Sequence, residues 1–81
     1  MGMLRVMSRR GDDRVLWDLG QAKLGELDAV AAVEEAERIF AAERERGATA
    51  FKVESGKSPV RIDVFDKTAE QIVMVPRVVG G

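Results

Sequence analysis

Ile72-Val73-Met74-Val75-Pro76-Arg77-Val78-Val79-Gly80-Gly81 closes the chain. The four residues from Ile72 to Val75 are all apolar and do not alternate, which predicts a strand in the middle of a sheet, with a helix on one face and partial cover on the other. Pro76 has no N–H to donate, so sheet pairing is expected to stop there and release the last five residues. Those five end in two glycines without a Cβ, the slimmest tail a polypeptide can form, tipped by the Gly81 carboxylate. Glycine fills 8 of 81 positions, so composition alone gives a terminal pair in about 1 of 100 chains. The weight therefore falls on the residues that lead up to the pair.

Upstream, the period is two, then helical, then two again. Residues 3–8 alternate, with Leu4 and Val6 opposite Arg5, and residues 14–19 alternate, with Val15, Trp17 and Leu19 opposite Arg14 and Asp18. Arg9-Arg10-Gly11-Asp12-Asp13 lies between them, so a β-hairpin is expected. Arg10-Gly11-Asp12 also spells an integrin-binding tripeptide, but the same residues are what a turn requires. Residues 20–27 read as a connector. Asp28 is placed to N-cap a helix that runs to Arg46 and stops at Gly47. Its apolar stripe is Ala29, Val30, Val33, Ala36, Ile39 and Phe40, with acids in its first half and arginines in its second, a distribution that suits the helix dipole and allows a Glu34–Arg38 pair. Beyond Gly47, Phe51 and Val53 mark a third strand, residues 55–59 a turn, and Val60, Ile62 and Val64 a fourth strand. A polar turn over residues 66–70 then leads into the last strand. The expected class is α+β, in the order ββαβββ, with about five strands in a mixed sheet and one helix packed across it.

Composition narrows the chemistry. The chain holds no His, Cys or Tyr, so the commonest general base, the thiol nucleophile and the best transition-metal ligands are missing. A self-sufficient enzyme is not expected, nor a metal site. Thirteen Lys and Arg balance fourteen Asp and Glu, which points to neither nucleic acid nor an anionic membrane as partner. Asp12-Asp13 and Glu34-Glu35 are adjacent pairs whose side chains diverge, so they read as solvated charge. Neither a signal peptide nor a membrane span is visible, and a cytoplasmic domain is expected. Met3 offers a second start, in which case Met1-Gly2 is a cloning remnant, and the sequence leaves the two alternatives open.

A hairpin, a helix across a mixed sheet and a central last strand running into Gly-Gly resembles the β-grasp fold of ubiquitin-like proteins. The segment Glu70-Gln71-Ile72-Val73-Met74-Val75-Pro76-Arg77-Val78-Val79-Gly80-Gly81 is similar to the end of the sulfur-carrier small subunit of molybdopterin synthase, matching at Pro76, Val78, Gly80 and Gly81. Arg77 departs from that pattern, where a second proline is common, and so does the hairpin expected over residues 51–65. Bacterial ubiquitin-like modifiers offer a second, looser likeness. The resemblance implies a β-grasp domain over residues 1–76 and a flexible tail over residues 77–81. It implies that a separate adenylating enzyme, similar to the ubiquitin-activating enzymes and supplied with ATP and Mg²⁺, converts the Gly81 carboxylate into an acyl-adenylate. Attack by sulfur then yields a thiocarboxylate for sulfur donation, or a thioester for attachment to target proteins. A metalloprotease that acts on the tail is a further implied partner. Gly80 and Gly81 would carry the activation, and Pro76, Arg77, Val78 and Val79 would form the partner-binding tail. No cofactor bound by the chain itself is implied.

Two rival readings keep the fold and discard the chemistry. One is a non-covalent interaction module that uses a sheet face around Trp17 and Phe65, although a lone Trp is more often core. The other is an assembly subunit, which calls for an exposed strand edge.

Overall fold

The computed structural model describes residues 1–8 and 11–77. The elements are β1 (Gly2–Ser8), β2 (Gly11–Trp17), α1 (Leu19–Lys23), α2 (Leu27–Glu45), β3 (Thr49–Val53), β4 (Val60–Ile62) and β5 (Gln71–Val75). They form one mixed five-stranded sheet in the order β2-β1-β5-β3-β4, with a helix layer on one face. β5 is therefore central, as its unbroken apolar run predicts. It pairs parallel to β1, from Met3↔Gln71 to Val6↔Met74, and antiparallel to β3, from Thr49↔Val75 to Val53↔Gln71. Ile72 and Met74 are fully buried towards the helices, while Val73 points to the other face and is only half-buried.

The strand boundaries differ from the expected ones where side chains found other partners. β2 begins at Gly11 rather than Arg14, since Asp12 crosses to Arg5 on β1 in a 2.5 Å ion pair. Leu19 is not in the strand. Asp18 caps a short helix there, its Oδ1 accepting the Gln21 N–H at 3.1 Å, so the order is ββααβββ. The fourth strand ends at Ile62: Asp63 pairs with Arg44 of α2 at 3.1 Å, and Val64 is 76% exposed.

Helix α2 starts earlier than expected because its cap is Glu26, not Asp28. The Glu26 carboxylate accepts the N–H groups of Asp28 (3.2 Å) and Ala29 (2.8 Å) and satisfies two of the orphan donors. At the other end Gly47 takes φ +92°, with Gly47 N–H bonded to Arg44 O and Ala48 N–H to Glu43 O, both at 3.0 Å. This is the doubled hydrogen-bond pattern of a glycine C-terminus. The ion pair within α2's last turn joins Glu43 and Arg46; among the described residues no Glu34–Arg38 pair forms. Ala29, Ala36 and Phe40 are the buried residues of the helix, and the alanines let it lie close to the sheet.

The core consists of Leu4, Trp17, Ala36, Phe40, Ala48, Ala50, Ala69, Ile72 and Met74, with Phe65 packed against it. Trp17 fills its centre, 2% exposed, and its indole N–H donates to Lys67 O at 2.9 Å. Gly2 pairs with Trp17, and a Cβ at Gly2 would be driven into the indole ring. No helix among the described residues is long and apolar enough to cross a membrane.

Candidate functional site

The exit of β5 is built by three local effects. The β3–β5 ladder ends at Thr49↔Val75, and Pro76 lies outside the strand, exposed. Having no N–H, Pro76 cannot add the next rung. Continuing the same register sets Pro76 opposite Ala48 and Arg77 opposite Gly47. There the Arg77 stem lies across the glycine: a Cβ at Gly47 would stand 3.1 Å from Arg77 Cδ and 3.5 Å from its Cβ. Val78, Val79, Gly80 and Gly81 lie outside the described residues.

Trp17 and Phe65, expected to mark a contact face, are brought together but on the helix side. Their ring centroids are 5.3 Å apart, and Phe65 also meets Phe40 at 5.8 Å. Trp17 is buried, so its indole offers no docking surface; Phe65 is half-buried at the edge of the same cluster. These aromatics tie the 62–68 segment over the core.

The bare surface is the other face of the sheet, which no sequence motif marks. Registers place Leu16, Met3, Gln71 and Val53 in one row across it, and Arg14, Arg5, Val73, Phe51 and Arg61 in the next. Leu16 is 54% exposed; Met3, Val73, Phe51 and Val53 are half-buried with no helix over them. Arg5 is neutralised by Asp12, whereas Arg14 and Arg61 have no ion-pair partner among the described residues. The face is therefore apolar at its centre and cationic at both margins. Its signal in the sequence is alternation: Phe51 and Val53 share a face, and the helix-side positions of β3 are Ala50 and Lys52.

Titratable chemistry is sparse. Among the described residues no group of three or more His, Cys, Asp or Glu side chains could hold a metal ion. The Asp66 carboxyl is held below its ordinary range by the Thr68 hydroxyl, by the Thr68 N–H and, more weakly, by Lys52. Asp66 Oδ1 accepts both Thr68 groups, at 2.5 and 2.9 Å, while Oδ2 meets Lys52 Nζ at 3.2 Å. This cluster pins the turn ahead of β5 and belongs to structure.

Compared with protein-family models, with curated proteins and with solved structures, the chain matches none.

Proposed function

We propose that this chain is a ubiquitin-like β-grasp carrier whose Gly81 carboxylate is activated by a separate adenylating enzyme. The observation that carries the reading is the central position of β5, which is hydrogen-bonded on both sides and stops at Pro76. A tail leaving the best-anchored strand can be pulled into a partner's active site without loosening the domain. From Pro76 to Gly81 it reaches about 20 Å. In the proposed step a Gly81 carboxylate oxygen attacks the α-phosphorus of ATP and expels pyrophosphate. The resulting acyl-adenylate loses AMP to a sulfur nucleophile. Hydrosulfide leaves a thiocarboxylate, a sulfur donor; a cysteine thiolate leaves a thioester, which a lysine amine of a target protein converts to an amide.

Incubating the protein with ATP and a lysate of its host, then weighing it, tests this reading. Exchange of one terminal oxygen for sulfur supports sulfur carriage, and adducts joined through Gly81 support protein modification. If deletion of Gly81 leaves the ATP-dependent mass change, the adducts and the phenotype as they are in the parent, the reading is wrong.

A second reading has its own observation. The uncovered cationic and apolar sheet face favours a non-catalytic interaction module that docks an acidic, apolar partner surface and does not use the tail. It predicts that Arg14→Glu together with Arg61→Glu abolishes the protein's role, while deletion of Gly81 does not.

A further inference from the structure

Leu24 and Leu27 are 79% and 81% exposed, and both stand on the corner that joins the two helices. Leu24 ends α1 and Leu27 opens α2, with Gly25 at φ +82° and Glu26 between them. Backbone N–H groups of Leu24, Gly25 and Glu26 bond back to Gln21 and Ala22 at 3.0–3.1 Å, and the Glu26 carboxylate fixes the start of α2. Two leucines are thus displayed on a backbone already ordered by folding, which lowers the entropic cost of docking them. The charge around them has one sign. Residues 18–37 hold six acids, Asp18, Glu26, Asp28, Glu34, Glu35 and Glu37, against the single cation Lys23. Among the described residues none of the six is in an ion pair. The corner is an acidic projection tipped with apolar side chains.

The uncovered sheet face is its complement, with Met3, Val53, Val73 and Phe51 between the unpaired Arg14 and Arg61. Four interstrand spacings of about 4.8 Å set the outer strands about 19 Å apart, and a helix with its side chains is about 10–12 Å across, so a helical corner fits between the two arginines. The helices pack on the opposite side of the same sheet, so a corner can reach this face only on another molecule. A net charge of −1 sets little general repulsion between copies. We propose that the occupant of the uncovered face is a second copy of this chain, which lays its Leu24 and Leu27 corner between Arg14 and Arg61 and brings its acids to them. The proposal rests on the interaction reading of that face and names its partner. Corner and face are different surfaces, so the contact is head-to-tail, and every added copy brings a fresh corner and a fresh face.

Sedimentation equilibrium of the full chain from about 10 μM to about 1 mM covers the affinities of small, transient contacts. The average mass of the parent should rise with concentration. The association constant should fall about fivefold or more between about 0.05 M and about 0.5 M salt, because the charges at the contact are screened. Leu24→Gln with Leu27→Gln removes the corner, and Arg14→Glu with Arg61→Glu reverses the face. All four positions are exposed, so both variants should keep the parent's urea midpoint. Each should stay monomeric alone. Mixed in equal amounts they should associate again, since the intact face of the first meets the intact corner of the second, and should stop at a one-to-one pair. A parent still monomeric at about 1 mM overturns the proposal. So does a mixture that stays monomeric while the parent associates. A monomeric parent whose role is nevertheless abolished by the face variant loses the second copy as partner and keeps the interaction reading. A face variant that keeps the role removes that reading and leaves the measured association as it is.

Discussion

Single residues decide more of this fold than its composition suggests. Gly2 is required by Trp17, and the dependence is invisible in sequence because nothing but strand register brings the two together. Gly2→Ala should destabilise the protein by about 1–3 kcal/mol, the range for overpacking a well-filled core, read as a lower urea midpoint at unchanged slope. Asp66 gives the protein an acid-sensitive point. Its folded pKa lies below the ordinary 3.8, chiefly because of Thr68, so its contribution is present above that value and is lost as pH falls through the folded pKa. Asp66→Asn should therefore lose stability near neutrality and show a flatter decline of stability below about pH 4, measured by denaturant titration across that range. Trp17 is legible as core from its residue type, but its hydrogen bond to Lys67 O joins distant segments and carries no local mark.

At the scale of elements, periodicity is readable and capping by unusual residues is not. Helix α2 announces itself through its stripe and through Gly47, yet its start is easily misplaced because Glu is a poor predictor of an N-cap. Its longer side chain here accepts from the N–H groups of Asp28 and Ala29, whereas a cap at Asp28 would take those of Val30 or Ala31. Glu26→Ala should cost about 1 kcal/mol and Asp28→Ala only a few tenths, compared by chemical denaturation. Helix α1 has five residues, too few to show a period, and only Asp18 hints at it. In β3 the eye goes to Phe51 and Val53, but it is Ala50 and Lys52 that face the helix side, and Ala50 is fully buried there. The central strand is legible from its unbroken apolar run, although its burial alternates: Ile72 and Met74 are buried while Val73 is only half-buried on the uncovered face.

Across the whole molecule, the sheet is finished on one face only. The helix layer covers the core, and the opposite face offers an apolar centre between Arg14 and Arg61. Replacing both arginines with Glu should leave the unfolding midpoint within about 0.5 kcal/mol of the parent, as befits exposed positions. Binding of an acidic partner through this face should then weaken, and the parent's binding should fall with rising salt. The candidate tail is legible as a motif, whereas the face between Arg14 and Arg61 is not, because it depends on strand registers that join segments far apart in sequence. The parallel pairing of β1 with β5 has a mechanical side. A pull on the tail, resisted through residue 1, acts along both strands in opposite directions and loads the rungs from Met3↔Gln71 to Val6↔Met74 together. The ladder must shear as a unit instead of unzipping rung by rung. A load applied beyond Val75 would therefore meet the sheet along a line that resists shear, and the domain would hold its shape under it.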